Sequence, residues 1–349
     1  AVVPGAFDAW MIMLRDYGTF DLETVLEPAI GYAQSGYPLV PAISTVIDQM
    51  QELFSSHWTS SGQIYLTHGV PKAGTLFCNT DLAKTYRRLV SDSKSAGGSR
   101  EHKIEAARNS WYRGFIAEAI DKFCSTTKVL DTTGQHHAGL LCGDDLDQWQ
   151  ATIEEPLTYD YHGYTLCKTK PWGQGPVALQ HLALLNQFDL SQFKPEDPEF
   201  IHLLVETSKL AFADREAYYG DPNFVDVPID ALLSSQYNAD RKILIDSEAS
   251  LLLRPGRVPG YDREAVTPSL DASSLETPGE GEPTVSSAID VMTRGERRGD
   301  TCHLDVIDRW GNMVSATPSG GWLSSSPVIP ELGFPLTTRG QMFWLDENA

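Results

Sequence analysis

The sequence lacks both a long apolar run and a cluster of basic residues. A membrane-spanning helix requires about 18 or more consecutive apolar residues, and no stretch of the 349 residues approaches that length. Acidic residues outnumber basic ones by 47 to 27, which gives a net charge of -20. Because nucleic-acid phosphates are bound by clustered Lys and Arg, the sequence predicts no nucleic-acid partner and no membrane span. A hydrophobic content of 41% is enough for a large buried core.

Motifs for metals and common cofactors are also missing. The five cysteines show no CxxC spacing, and their odd number leaves at least one thiol unpaired within the chain. His136 and His137 lie near Cys142, but adjacent histidines rarely ligate one ion and no further ligand completes a set. The GQG segment at 173–175 has neither the GxGxxG pattern nor a following GK[ST]. We therefore predict no metal site and no cofactor.

Helical periodicity dominates two regions, 20–125 and 176–219. Asp21 is predicted to cap a helix that ends near Gly36, and apolar patterns predict further helices over 41–55 and 102–123. A helix over 176–188 and a longer one that begins at Asp197–Pro198 and ends at Gly220 complete the second region.

The longest predicted helix carries apolar and charged residues at helical spacing. Its apolar residues are predicted to face the core, and its charged residues are predicted to lie on the solvated side. The largely apolar face is predicted to carry Ile201, Leu204, Val205, Ser208, Ala211 and Phe212, and the other side is predicted to carry Glu206, Lys209, Asp214, Arg215 and Glu216.

The clearest strand signals lie at 163–168 and at 302–317. In the second stretch, strand-forming residues at 302–308 and 313–317 flank a three-residue loop that ends in Gly311, which predicts a hairpin. This loop length places Thr301 opposite Ser319 and His303 opposite Thr317, with all four side chains on one face. A two-residue loop would shift the register by one and move Thr317 and Ser319 to the other face.

The stretch before the hairpin has the composition of a linker. Residues 254–300 contain five prolines, six glycines and many Ser, Thr, Asp and Glu residues. Such a composition favours a mobile segment. It ends immediately before Thr301, so the Asp300–Thr301 peptide is placed where a cleavage site would need freedom to distort.

A threonine at the start of a strand is by itself an ordinary β-branched residue. The block TCHLDVIDRWGNMVSAT at 301–317, however, resembles the start of the small subunit in the γ-glutamyltransferase family. Similar family segments occur in the same order along the chain, so the chain is identified as a member of this family. They are VPGAFDAW at 3–10, AIGYAQSGYPL at 29–39, GYTLCKTKPWGQGP at 163–176 and ETSKLAFADREAYYGDP at 206–222.

The resemblance implies a self-cleaving N-terminal nucleophile hydrolase. The family threonine that falls on Thr301 is both the autoprocessing residue and the nucleophile, so cleavage is expected between Asp300 and Thr301. Thr317 and Ser319 are expected to orient the Thr301 hydroxyl. Residues 1–300 would belong to the large subunit and 301–349 would begin the small one, and the two would form a heterodimer. The implied fold is α+β, a four-layer αββα sandwich that is incomplete at both ends.

The positions that contact substrate in the family differ here. Better-known members have an Asn at the position of Gly321 and a Gln-Asp-Asp-Phe segment near the stretch from Arg339 to Phe343, which includes Gln341. Arg339 would bring positive charge to a place where the family has a carboxylate. The chain resembles the branch of γ-glutamyltransferase-like and cephalosporin-acylase-like proteins, so the expected substrate is a small γ-glutamyl amide or a related amide.

The sequence also suggests two alternatives to this interpretation. A Cys-His hydrolase built on Cys302 and His303 fails, because neighbours on a strand point to opposite faces. A non-processing, catalytically silent relative that acts as a binding protein stays open. The resemblance also implies that the chain is the interior of a longer precursor whose missing ends supply an arginine, a glycine pair and a serine pair. The compartment is left open between the cytoplasm and the periplasm or secretion.

Overall fold

The computed structural model describes residues 1–131, 133–261, 301–338 and 340. Within these ranges the chain forms two compact units. Residues 1–152 and 301–340 belong to the first unit, and residues 153–261 belong to the second. Asp300, Arg339 and Gln341 lie outside the described residues, as does the predicted linker from 262 onward.

Helices make up most of the described regular structure. Those of the first unit are α1 (Ala6–Tyr17), α2 (Leu22–Ser35), α3 (Pro41–Gln49), α4 (Gln51–Ser56), α5 (Thr59–Tyr65), α6 (Thr80–Ser95), α7 (Arg100–Tyr112), α8 (Phe115–Thr126), α9 (Gly143–Gln148) and α14 (Trp322–Ser325). Those of the second are α10 (Gly175–Leu185), α11 (Pro198–Tyr218), α12 (Ile229–Leu233) and α13 (Ser235–Lys242). None of the helices in the described ranges is long and apolar enough to cross a membrane.

The described strands pair antiparallel, two by two. The pairs are β1 (Tyr37–Pro38) with β2 (Leu76–Phe77), β3 (Val129–Leu130) with β4 (His136–His137), β5 (Leu157–Tyr161) with β6 (Tyr164–Lys168), and β7 (Leu304–Ile307) with β8 (Met313–Ala316). The chain therefore mixes helices with short antiparallel pairs. Within the described ranges these pairs do not build a four-layer sandwich, which stays a prediction for the complete fold.

Helix starts and stops follow the predicted signals at some places and not at others. Asp21 accepts a hydrogen bond from the backbone N–H of Thr24, and α2 ends at Gly36, as predicted. The helices predicted over 41–55 and 102–123 are each broken in two. The second breaks at Gly114, whose φ of -115° and ψ of -146° lie outside the helical region. Apolar periodicity continues across this break and so could not locate it.

The segment that follows the hairpin is embedded in the core of the first unit. Ile329, Leu332 and Leu336 are buried with side chains of α7 and α8 such as Trp111 and Ile116. Leu323 and Val328 are buried in a neighbouring cluster with apolar residues from α3, α4 and β2. Residues 323–337, which we call the buried tail, therefore complete a core that starts with the first helices of the chain.

Hydrogen bonds fix the backbone of the buried tail. The Thr85 hydroxyl donates to the Leu332 carbonyl at 2.9 Å, and the Asn79 amide donates to the Gly333 carbonyl at 2.7 Å. The Val328 N–H donates to the Ser61 hydroxyl at 3.0 Å. Because each polar group of this kind would be costly to leave unpaired in a core, these bonds specify one position for the tail.

The structure corrects the predicted orientation of α11 in the second unit. Ile201 and Val205 are about half exposed, at 50% and 49%, whereas Glu206 is 1% exposed and Asp214 is 0% exposed. The prediction that the charged residues lie on the solvated side is therefore wrong for these two carboxylates.

Hydrogen-bond partners from α10 and from the segment after α13 explain why the carboxylates are buried. Glu206 accepts from the Arg254 guanidinium at 2.8 Å and from the Ser250 N–H at 3.2 Å. Asp214 accepts from the Gly256 N–H and from the Gln180 amide, each at 2.6 Å. Charged groups are buried in proteins when they are paired and hydrogen-bonded in this way.

The residues around Arg254 and Gly256 belong to the first part of the predicted linker, and the structure describes this part up to 261. The Tyr218 hydroxyl donates to the Gly256 carbonyl at 2.7 Å and accepts from the Val258 N–H at 3.2 Å. Val258 is 4% exposed. Residues 254–261 are thus packed against α11.

Candidate active site

The hairpin has the predicted register. Leu304 pairs with Ala316 and Ile307 pairs with Met313, and beyond the strands the Cys302 N–H donates to the Pro318 carbonyl at 3.2 Å. Thr301 is therefore opposite Ser319, and the three-residue loop is confirmed. The alternative register with a two-residue loop is excluded.

The loop is closed by Asp308 and Gly311. The Asp308 N–H donates to the Asn312 carbonyl at 3.0 Å, and Gly311 has a φ of 85°, a backbone conformation that glycine adopts without strain. The Asp308 carboxylate accepts from the side chain and backbone of Asn312 and from the Trp310 N–H, which lowers its pKa below the ordinary value. Because this pKa is lowered, the ionised carboxylate stabilises the folded loop at pH values above the ordinary carboxyl pKa. This contribution is lost as the pH falls through the lowered pKa.

Five side chains on one face of the hairpin form a polar row, which consists of Thr301, Ser319, His303, Thr317 and Asp305. The Thr301 and Ser319 hydroxyl oxygens are 2.8 Å apart. The Nδ1 atom of His303 is 2.7 Å from the Thr317 hydroxyl, and its Nε2 atom is 2.9 Å from an Asp305 carboxylate oxygen. Odd-numbered residues of β7 and its N-terminal extension thus meet odd-numbered residues across the hairpin, as the period of two requires.

The row offers a hydroxyl nucleophile with a hydrogen-bonding partner. Thr301 is exposed, so its oxygen is accessible, and Ser319 can accept the Thr301 proton or donate to the oxygen. Thr317 lies on the same face, but its hydroxyl bonds to His303. Of the two hydroxyls predicted to orient Thr301, Ser319 is the one placed to do so directly.

Removing the Ser319 hydroxyl is expected to slow any reaction of Thr301. We predict that Ser319→Ala lowers the rate by roughly ten- to a hundredfold, the usual effect of losing a hydrogen bond to a reacting group, while Ser319→Thr retains most of it. The measurement is the rate of chain cleavage before Thr301, followed by mass spectrometry. Ser315→Ala, on the same strand face but in β8, is the matched control. A Ser319→Ala protein that cleaves as fast as the Ser315→Ala protein would contradict the prediction.

Gly321 is the predicted substrate-contacting residue that lies within the described ranges. It precedes α14 with φ 80° and ψ 0°, a left-handed conformation in which Asn is tolerated better than most side chains. A Cβ added at Gly321 would come within 3.0 Å of the Ser325 Cβ. Arg339, Gln341 and the Asp300 side of the cleavage site fall outside the described residues, so their assignments stay predictions.

The sequence did not assign roles to His303 or Asp305. The alternation of polar residues at 301, 303 and 305 is the signal that could have linked them, because all three must share one face. Elsewhere, His137 bonds to Asp131 at 2.6 Å. In the part of the chain that the structure describes, no group of three or more His, Cys, Asp or Glu residues could hold a metal ion.

Comparison with known proteins adds a family and several relatives. The family model described as gamma-glutamyltranspeptidase matches residues 1–349. The glutathione hydrolase proenzyme of Bacillus subtilis (strain 168) is 30% identical over 340 residues, which are 97% of this chain and 50% of that protein. The chain spans about half the length of the curated relatives that it matches.

Solved structures are similar over almost the whole chain. A structure of LmbA2991 is 49% identical with a TM-score of 0.87, and the match covers 99% of this chain and 56% of that one. The cephalosporin acylase from Bacillus halodurans is 26% identical with a TM-score of 0.73, and the match covers 99% of this chain and 53% of that one.

Proposed function

The chain belongs to the γ-glutamyltranspeptidase family, and from this membership we propose that it is part of a self-processing amidohydrolase or acyltransferase whose nucleophile is Thr301. The proposed reaction transfers a γ-glutamyl or related acyl group from an amide to water or to an amine. The observation that carries the proposal is the 2.8 Å contact between the Thr301 and Ser319 hydroxyls at the head of the hairpin. Relatives named as a glutathione hydrolase proenzyme and a cephalosporin acylase support this class of reaction.

The first step makes the catalyst. The Thr301 oxygen attacks the carbonyl carbon of Asp300, the bond from that carbon to the Thr301 nitrogen breaks, and an ester replaces the peptide. Water then hydrolyses the ester, which releases the Asp300 carboxylate, the Thr301 hydroxyl and a free Thr301 amine. Ser319, whose hydroxyl oxygen is 2.8 Å from that of Thr301, would hold the hydroxyl during this step.

The second step uses the new amine as a base. A threonine hydroxyl is a weak nucleophile unaided, whereas an α-amino group titrates near about 8 and can accept the hydroxyl proton at neutral pH. The oxygen attacks the substrate carbonyl, the amine leaving group takes a proton, and an acyl-enzyme forms on Thr301. Water or an acceptor amine then attacks the ester and frees the Thr301 hydroxyl. No cofactor is needed.

The same proposal divides the chain into subunit regions, with 1–300 in the large subunit and 301–349 at the start of the small one. The buried tail would then hold the two fragments together after cleavage, since its apolar residues sit in the core of the first helices. For the complete protein we propose the four-layer αββα sandwich. The αβ heterodimer should coelute on gel filtration and separate only under denaturing conditions.

Mass spectrometry of the expressed full-length protein tests the proposal. Fragments whose boundary lies before Thr301, together with amide turnover, are expected. An intact chain without turnover would support the alternative, a silent relative that serves as a binding protein.

Substrate preference is expected to depart from γ-glutamyl compounds. Gly321 offers no side-chain hydrogen bond, and the proposed position of Arg339 would repel the ammonium group of a γ-glutamyl donor. A repulsion of about 1 kcal/mol corresponds to roughly a fivefold difference, so a glutaryl anilide should be cleaved at least about fivefold more efficiently than the γ-glutamyl anilide. The measurement is kcat/KM for both anilides.

Arg339→Ala should reduce the preference for the glutaryl anilide over the γ-glutamyl anilide. Arg309→Ala is the matched control, because Arg309 lies in the hairpin loop and its guanidinium packs on the Trp310 ring. Equal kcat/KM values for both anilides in the unaltered protein, unchanged by Arg339→Ala, would refute the assignment of Arg339 to the substrate site.

A further inference from the structure

His303 and Asp305 belong to the polar row but take no part in the proposed chemistry. The imidazole bridges the Asp305 carboxylate, 2.9 Å from Nε2, and the Thr317 hydroxyl, 2.7 Å from Nδ1. Both His303 and Asp305 side chains are about half exposed, at 53% and 62%, so they are held by these bonds on the open face of the hairpin. That face is the one that carries Thr301.

The chemistry of the three groups fixes the direction of the bonds. An ionised carboxylate has no proton to donate, so Nε2 of His303 must donate to Asp305. In a neutral imidazole the other nitrogen then has no proton, so Nδ1 accepts and the Thr317 hydroxyl donates. The Thr317 proton is thus engaged in the bond to Nδ1. The lone pairs of the Thr317 oxygen can then accept a hydrogen bond on the face that carries Thr301.

We propose that Asp305 and His303 are positioning residues that keep the Thr317 hydroxyl as a hydrogen-bond acceptor beside the nucleophile. The assignment rests on the proposed function for its catalytic consequence. An acceptor at this place suits amine N–H groups, which are present on the freed Thr301 and on the leaving and acceptor amines of the reaction. His303 and Asp305 thus act through Thr317, and the role expected for Thr317 from the sequence is refined from orienting Thr301 to receiving N–H groups.

Protonation of His303 would reverse the arrangement. The imidazolium donates from both nitrogens, so Thr317 would accept from Nδ1 and turn its own proton toward the Thr301 face. Asp305 is the charged group that faces the ring from β7, and β8 (Met313–Ala316) carries no titratable residue. The neutral ring is therefore the form that leaves the Thr317 oxygen free to accept on the Thr301 face.

The first arm of the test is kinetic and uses the full-length protein. Asp305→Ala is expected to lower kcat for the anilide substrate by about tenfold with KM changed less than about twofold, and Asp305→Glu is expected to restore most of the loss. Asp308→Asn is the matched control, because it removes the same charge from the same hairpin at the loop, and it should stay within about twofold of the unaltered protein.

The second arm does not depend on turnover. Nitrogen NMR of protein labelled with ¹⁵N-histidine, with the His303 signals assigned by their absence from His303→Asn, reports which ring nitrogen carries the proton. The Nε2–H form is expected in the unaltered protein, and Asp305→Ala should lose that preference. A dominant Nδ1–H form, or an Asp305→Ala protein with unchanged kcat, overturns the assignment. If the unaltered protein shows no turnover, the proposed function fails and the NMR result alone decides the direction of the bonds.

Discussion

The Thr301→Ala protein is expected to stay a single uncleaved chain and to show no amide turnover above background. Alanine keeps the strand but has no oxygen to attack the Asp300 carbonyl, so neither the ester nor the free amine can form. Loss of a nucleophile in other hydrolases lowers kcat by roughly 10⁴-fold or more, which sets the expected scale. Mass spectrometry of the purified protein and hydrolysis of an acyl anilide measure the two losses.

Thr301→Ser is the conservative partner of this variant. Serine keeps the hydroxyl and the contact with Ser319, so some cleavage and some turnover are expected. Cys302→Ala serves as the matched control, since Cys302 is the next residue in the N-terminal extension of β7 and points to the other face. If the Thr301→Ala chain still matured and hydrolysed the anilide, Thr301 would not be the nucleophile.

The second large effect is expected in the second unit, from removal of the guanidinium of Arg241. Arg241 is 6% exposed, and it donates to Asp214, which is fully buried, at 3.3 Å. Arg241→Met would leave the carboxylate buried with neutral donors alone. Removing one partner of a buried ion pair typically costs about 3–5 kcal/mol of unfolding free energy. Chemical denaturation and hydrogen exchange of peptides from α11 and α13 measure the loss.

An exposed ion pair provides the comparison. Lys84 pairs with Asp81 on α6 with side chains 72% and 38% exposed, so Lys84→Met should change the unfolding free energy by less than about 1 kcal/mol. The double variant Asp214→Asn with Arg241→Met should be less destabilised than Arg241→Met alone, because no unpaired charge is left. Equal losses of unfolding free energy for Arg241→Met and Lys84→Met would show that the buried ion pair contributes no more to stability than the exposed one.

The hairpin could be predicted in detail because its determinants are local. A three-residue loop that ends in Gly311 sets which residues face each other, and the period of two then places Thr301 and Ser319 together. The bounds of α2 could also be predicted, since Asp21 and Gly36 mark its two ends in the sequence. Such features need only a few neighbouring residues to be specified.

The orientation of α11 could not be predicted because its determinants are distant in sequence. Glu206 and Asp214 are paired in the interior with the Arg254 guanidinium and the Gly256 N–H, which lie 48 and 42 residues further along the chain. A helical pattern of charges indicates a solvated face unless partners of this kind are known. Helical periodicity in the sequence therefore does not predict which carboxylates are buried with tertiary partners.

The candidate site likewise has features that the sequence predicts and features that it does not. The resemblance pointed to Thr301, and the register correctly placed Ser319 beside it. The register also placed His303 opposite Thr317 on the same face, and the structure shows that the imidazole bonds to that hydroxyl. Contacts across the hairpin were predictable, whereas the bond along one strand from His303 to Asp305 was not.

The buried tail also determines when the site can be assembled during protein synthesis. Its hydrogen bonds join residues that are 247 to 267 positions apart. The pairs are Ser61 with Val328, Asn79 with Gly333, and Thr85 with Leu332. At about 5–20 residues per second, the ribosome delivers these partners roughly 10–50 s after the first helices emerge. The core of the first unit therefore closes late, and the helices remain with an incomplete apolar face in the meantime. For the cleavage proposed at Thr301, translation rather than the reactivity of the hydroxyl would then set the earliest possible moment.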